Sequence, residues 1–203
     1  MGVGEIGRPA IFLDRDGTLV EEIYYPETGE TEAPLRPGDV RLIEGAAGAA
    51  RRLAEAGFLL ILISNQGGYA KGKTSLRDLW LAHERFLELL RGEGVRLDGF
   101  FYSFSHPEGT VPFFSGPSID RKPNPYNLLL AAAQFDIDLP SSWTIGDRET
   151  DVACGRAAGT RTVRIFVQNR NLDPGSSADI VAPGLQEAGD QILRAALLGL
   201  RQR

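Results

Sequence analysis

Cysteine is nearly absent from this chain of 203 residues; Cys154 stands alone. A disulfide framework is thereby excluded and a reducing compartment expected, with Cys154 read as a buried, inert thiol. No apolar run approaches the ~20 residues that a membrane-spanning helix requires. Positive charge is not in excess either, the net charge being −5. Nucleic-acid binding needs a basic surface to displace counterions, so no nucleic-acid partner is expected. Met1-Gly2-Val3-Gly4-Glu5-Ile6 lacks the basic start and apolar core of a signal peptide, and Ile6 stands where myristoylation uses Ser or Thr. The expected location is cytoplasmic, away from membranes. Lysine is scarce too: Lys71, Lys73 and Lys122 are the only three beside 19 arginines. All three fall in Gly- or Pro-containing loops, where a compact ammonium charge has a use that Arg does not serve.

What is present is core material. At 42% hydrophobic content, one domain over 1–203 is expected, and folding at this size buries roughly 70% of the unfolded surface. Strand signals recur at Ala10–Leu13, Phe58–Ser64, Phe100–Phe104, Trp143–Ile145 and Thr162–Val167. Helical patterns lie near Ala46–Ala56, Ser75–Arg91, Tyr126–Phe135, Thr150–Ala158 and Leu185–Leu198. Short apolar strands alternating with helices predict an α/β fold, a doubly wound Rossmann-like parallel sheet covered on both faces. Ligands on such folds collect at the carboxyl ends of the strands. Two long irregular stretches, Glu21–Glu44 and Ser105–Asn124, follow the first and third strands.

Asp14-Arg15-Asp16-Gly17-Thr18-Leu19 follows directly on the first strand. On extended backbone Asp14 and Asp16 point the same way. Two close carboxylates at a buried strand end are costly unless a cation lies between them or one holds a proton. An enzyme with a nucleophilic carboxylate, a second carboxyl as acid and base, and Mg²⁺ has use for that arrangement. An Asp-Gly turn with both acids in water fits the same residues. Ser64-Asn65-Gln66-Gly67-Gly68 offers a hydroxyl and backbone N–H groups to an oxyanion, or forms an ordinary turn. In Asp120-Arg121-Lys122-Pro123-Asn124-Pro125, Lys122 could neutralise a phosphoryl group, or the segment is a rigid helix entry. Gly146-Asp147-Arg148-Glu149-Thr150-Asp151 places Asp147 to reach a metal and Asp151 to orient the site from behind, or Asp147 is a helix N-cap.

Taken in this order at four strand ends, Phe-Leu-Asp-Arg-Asp-Gly-Thr, Ser-Asn-Gln-Gly, Arg-Lys-Pro and Gly-Asp-Arg-Glu-Thr-Asp resemble the haloacid dehalogenase (HAD) superfamily of phosphohydrolases. The resemblance runs from about Pro9 to Val167. It is narrower toward the branch containing heptose bisphosphate phosphatase and histidinol phosphatase. It implies a HAD-like fold without a large cap domain, and a Mg²⁺-dependent phosphatase acting on a small phosphorylated metabolite. Asp14 is the implied nucleophile and Asp16 the acid and base, with Ser64 and Lys122 stabilising the transferring phosphoryl group. Asp14, the Asp16 carbonyl and Asp147 are the implied metal ligands. Asn65, Gln66, Arg121 and Arg148 match substrate-contacting positions. A sugar phosphate or heptose bisphosphate is the leading substrate, histidinol phosphate the alternative. Nothing in the sequence fixes the oligomeric state, and a monomer is compatible with it.

Two departures stand beside the resemblance. That branch carries a zinc loop of three cysteines and a histidine, but here 103–121 aligns Ser103, Ser105, Ser118 and Asp120 to those positions, so no zinc is expected. Phe113 and Phe114 are expected to pack where metal would pin the loop, with His106 a loop or substrate-side residue. His83 is expected on a solvated or half-buried helix face. The 21–44 segment is longer than its family counterpart and acidic, and is read as a flap over the site. Finally, Gly67-Gly68-Tyr69-Ala70-Lys71-Gly72-Lys73-Thr74 fits the pattern of an NTPase phosphate loop. Ser64-Asn65-Gln66 separates it from the strand, and an NTPase leaves Asp14 and Asp16 unexplained. A catalytically inactive binding domain on the same fold is the non-enzyme alternative.

Overall fold

The structure is a computed structural model that describes residues 7–166 and 176–200. Met1–Ile6 and Val167, the last residue of the fifth expected strand, lie outside the described residues. Six parallel strands form the sheet: β1 (Ala10–Leu13), β4 (Leu59–Asn65), β5 (Gly99–Ser103), β6 (Trp143–Gly146), β7 (Arg161–Ile165) and β8 (Ile180–Ala182). Between β1 and β4 the chain forms a separate hairpin of β2 (Ile23–Tyr25) and β3 (Glu30–Glu32). The helices are α1 (Ala46–Glu55), α2 (Leu76–Gly92), α3 (Tyr126–Phe135), α4 (Glu149–Ala158) and α5 (Leu185–Leu200). The spatial order β5-β4-β1-β6-β7-β8 puts β1 at the centre, and the strand order reverses there. That reversal opens a crevice at the carboxyl ends, where Asp14 and Asp16 leave β1.

Alternation along the buried strands divides the core. Ile11, Leu13, Leu60 and Leu62 face one side with Ala50, Leu53, Phe86 and Ile192. Ala10, Phe12, Leu59, Ile61 and Ile63 face the other with Leu128, Ala131 and Cys154. All four residues of β1 are completely buried. At about 25 cal/mol per Å² of apolar surface, each of Ile11, Phe12 and Leu13 contributes roughly 1.5–3 kcal/mol. The ends of β1 and β4 are therefore fixed by the core, and the residues just beyond them inherit that precision. Cys154 donates its S–H to the Asn124 carbonyl at 3.2 Å, and burial pushes its thiol up to about 12.

Three expectations need correction. The 21–44 segment is not irregular: the β2–β3 hairpin turns at Gly29 (φ +69°) and is tied down by Tyr25, whose hydroxyl donates to Asp39 and accepts from the Leu35 N–H. Phe113 does not pack into the loop but is fully exposed, whereas Phe114 stacks edge-on against Tyr69 with centroids 5.0 Å apart. His83 is buried, sharing the α2 face of Leu79, Ala82, Phe86 and Leu90, and its Nδ1 lies 2.8 Å from the Tyr102 hydroxyl.

Burial, with Arg15 nearby, lowers the His83 pKa to about 4 from an ordinary value of 6.5. Between those values the unfolded chain takes up a proton that the folded chain refuses, so stability falls as pH drops through this window. Wild type is expected to lose up to about 3 kcal/mol of stability from pH 6.5 to 4 relative to His83→Asn. Denaturant titrations of both proteins across that range check the difference, and parallel curves would contradict it.

Candidate active site

The loop after β1 is wound tightly enough to hold two acids at one strand end. Gly17 N–H donates to the Val20 carbonyl, and the Leu19 and Val20 N–H groups both donate to the Arg15 carbonyl. Gly17 has φ +77°, and a Cβ there would lie 2.6 Å from Asp147 Oδ2, so only glycine permits this approach of β1 to β6. At the tip of β6, a Cβ on Gly146 would meet the Asp151 side chain at 2.3–2.5 Å. Two glycines thus make room for an acid cluster. Asp14, Asp147 and Asp151 each offer an oxygen within 4.8 Å of the others, all three buried.

Lys122 is the cation inside this cluster. Its ammonium donates to Asp14 Oδ1 at 2.7 Å and to the Ile63 carbonyl at 2.8 Å, and it pairs with Asp151 Oδ1 at 2.6 Å. Burial opposes its charge, but Asp14 and Asp151 outweigh burial and raise its pKa. Three carboxylates crowd one buried ammonium, with the more exposed Arg148 guanidinium 3.9 Å from Asp147. Each like pair at this spacing repels by roughly 3–4 kcal/mol at an effective dielectric of about 20. The consequence falls on Asp147: burial first, then Asp14 and Asp151, push its pKa up to about 7. An all-oxygen donor set of three crowded carboxylates fits a hard divalent cation such as Mg²⁺.

A cleft of about 500 Å³ opens above the cluster. Of the residues singled out in the sequence, Asp14, Asp16, Asn65, Gln66, Arg121, Lys122 and Arg148 line it, and the hairpin residues Glu30, Thr31 and Glu32 form a wall. Ser64 and Asp147 sit just beneath, both buried. Asn65 pairs through both amide atoms with the main chain of Lys122, so its side chain orients that residue. The Gln66 side chain is buried and turned to Asp16 and Ser64. Arg121 reaches the Ser105 carbonyl at 2.8 Å, and Arg148 pairs with Glu22 at 2.8 Å at the root of the hairpin.

Two residues join the site in ways that sequence pattern does not show. Arg15, between Asp14 and Asp16, is 1% exposed and bonded to both Asp16 and Gln66. Asp151 is a full member of the acid cluster; its carboxyl also caps α4 by accepting from the Arg148 N–H at 3.0 Å. At the positions aligned to zinc ligands, Ser103 and Ser118 both donate to Asp120 Oδ1, and Asn127 donates to the Asp120 carbonyl. Hydrogen bonds fasten that loop.

The 67–74 segment does not form a phosphate cradle. Its N–H groups at Lys71, Gly72 and Lys73 turn back onto the carbonyls of Gly67, Tyr69 and Gly68. Lys73 is clamped between Glu30 and Glu32 of the hairpin, and Thr74 donates to the Leu35 carbonyl. In this arrangement Lys73 and three of the segment's N–H groups are engaged elsewhere, which speaks against an NTPase site at 67–74.

Comparison with known proteins agrees with the parallel α/β fold. A HAD-hydrolase-like family model matches residues 119–188. D-glycero-D-manno-heptose-1,7-bisphosphate 7-phosphatase of Thermosynechococcus vestitus is 40% identical over 156 residues, covering 75% of this chain and 76% of the relative. The D-glycero-β-D-manno-heptose-1,7-bisphosphate 7-phosphatase of Escherichia coli K12 is 34% identical over 167 residues, covering 82% and 83%. Among solved structures, the heptose 1,7-bisphosphate phosphatase of B. bronchiseptica, determined with magnesium and phosphate, superposes with a TM-score of 0.77 at 23% identity, over 92% of this chain and 99% of that one. Fold and site define a phosphoric monoester hydrolase. The chain belongs to the HAD superfamily of phosphatases, beside the heptose bisphosphate phosphatases.

With a folded pKa near 7 against 3.8 unfolded, Asp147 destabilises the metal-free protein increasingly as pH rises through that interval. At pH 8 in EDTA, Asp147→Asn should therefore melt at a higher temperature than wild type. Mg²⁺ at 100 times its Kd should add about 2.7 kcal/mol to wild type and far less to the variant. Thermal unfolding with and without Mg²⁺ measures both, and an equal Mg²⁺ gain in the two proteins would contradict this assignment.

Proposed function

We propose that this phosphatase hydrolyses a sugar bisphosphate of the heptose type through a phosphorylated Asp14. The observation that carries the chemistry is Asp14 at the floor of the cleft, bonded to Lys122 and grouped with Asp147 and Asp151. The substrate class rests on the relatives at 34–40% identity, which carry that activity in their names. Histidinol phosphate gains no support from them.

An Asp14 carboxylate oxygen attacks phosphorus, and the bond from phosphorus to the sugar oxygen breaks. Asp16 gives its proton to the departing oxygen. Asp16, now a carboxylate, takes a proton from water as that water attacks the aspartyl-phosphate. The bond between Asp14 and phosphorus breaks, freeing inorganic phosphate. Lys122 and the Ser64 hydroxyl offset charge on the phosphoryl oxygens, and Asp151 and Asn65 hold Lys122 in place. Asp14, the Asp16 carbonyl and Asp147 would hold Mg²⁺, which supplies further neutralisation of the transferring group. Arg121 and Arg148, on the cleft wall, suit the distal part of an anionic substrate. The 21–44 segment acts as a flap whose β2–β3 hairpin walls the cleft, with Lys73 as its clasp.

Phosphate release from a panel of sugar phosphates, sugar bisphosphates, histidinol phosphate and 4-nitrophenyl phosphate tests this. Turnover of a heptose bisphosphate should need Mg²⁺ and vanish in Asp14→Asn. Lys73→Ala, which unclasps the hairpin, should change the order of preference among substrates. Activity surviving in Asp14→Asn would sink the mechanism, and an unchanged preference in Lys73→Ala the flap.

A further inference from the structure

Arg15 is an unusual residue to bury. Taking a guanidinium out of water costs several kcal/mol, and replacing buried ion pairs with apolar side chains is often neutral or stabilising. Stability alone does not account for it. Its contacts do: Nε donates to Asp16 Oδ1 at 2.9 Å and Nη2 donates to Gln66 Oε1 at 2.8 Å. Gln66 Nε2 in turn donates to Asp16 Oδ2 at 2.6 Å and to Ser64 Oγ at 2.9 Å. The three side chains close a ring around one carboxyl group. Arg can only donate, so the Gln66 oxygen must face Arg15 and its NH₂ must face Asp16. Tyr102 and His83, themselves 2.8 Å apart, adjoin the guanidinium.

We propose that Arg15 and Gln66 form a buried bracket that positions Asp16 and directs its proton into the cleft. Each Asp16 oxygen receives one donor from the bracket, which fixes the carboxyl plane. Neither bracket group can accept a proton from Asp16. The acid hydrogen must therefore occupy a lone pair turned away from Arg15 and Gln66, and Asp16 lines the cleft. Through Ser64 the same amide couples the proton donor to a group that faces the phosphoryl oxygens. Arg15 and Gln66 are positioning residues; they act through Asp16. The proposal rests on Asp16 as the acid and base of the reaction above.

Leaving-group dependence tests it. An alkyl phosphate such as glycerol phosphate needs its departing oxygen protonated, whereas 4-nitrophenyl phosphate releases a stable phenolate with little help. Asp16→Asn is the reference: it should lose about 10²–10⁴ in kcat on the alkyl ester, with much less loss in the initial burst of 4-nitrophenol. Arg15→Met and Gln66→Leu should follow the same pattern, the alkyl-to-aryl ratio of single-turnover leaving-group release falling by about tenfold or more, with KM little changed. Arg15→Lys, which keeps charge without the fork, should recover only part. If Arg15→Met does not fold, Gln66→Leu carries the same test with the guanidinium in place. Equal losses on both esters, or a change confined to KM, would overturn the bracket while Asp16→Asn still showed its pattern. Indifference of Asp16→Asn to the leaving group would instead overturn the role of Asp16, and the bracket with it.

Discussion

Lys122 is the contact on which the site depends. One buried ammonium reaches Asp14 from β1, Asp151 from α4 and the Ile63 carbonyl from β4, joining three elements beneath the cleft. Removing it would leave carboxylates facing each other without water, an arrangement that costs far more than the pair contributes. Its presence still leaves the cluster short of positive charge. On the mechanism proposed above, that shortfall suits the strand ends to a divalent cation and, through that cation, to a phosphoryl group.

The fold supplies the geometry at small scale. β1 lies between β4 and β6 in register, Leu13 opposite both Leu62 and Ile145, so the residues that follow each strand come out side by side. Gly17 and Gly146 let the loops close without a Cβ in the way. The hairpin stands outside this frame as a sheet of its own. Held at its root by Glu22 with Arg148 and at its strands by Lys73, it walls a site that the sheet leaves open.

Much of this was legible because parallel strands buried on both faces read as unbroken apolar runs, and the reactive residues stand directly after them. Ala10–Leu13 and Tyr126–Phe135 match the observed elements to the residue, and the other long elements shift by a residue or two at their ends. The losses have physical causes. β8 is three residues long, too short to show a period. The β2–β3 hairpin carries Pro26 and four glutamates between 21 and 30, which mask a strand pattern. His83 could have been placed, since Leu79, Ala82, His83, Phe86 and Leu90 repeat at helical spacing; the polar label of histidine obscured a buried position. Arg15 could not. Only the tertiary arrangement brings Gln66 and Tyr102 to it, and local pattern says nothing of contacts made across 51 residues.

The phosphate-loop pattern at 67–74 shows the converse. Its residues fit a motif, yet the chain around them assigns Lys73 to the hairpin, and the motif's meaning dissolves once its partners are known. Residue type and spacing point to chemistry only when the backbone delivers the groups to one place. The central claim is that Asp14 is where the phosphoryl group is transferred. The most direct test is an acid quench of Asp16→Asn during turnover of 4-nitrophenyl phosphate, followed by mass-spectrometric mapping of the protein. Covalent phosphate on the peptide carrying Asp14, at close to one per chain, is the predicted result; turnover with no phosphate on the protein, or phosphate on another residue, would contradict it.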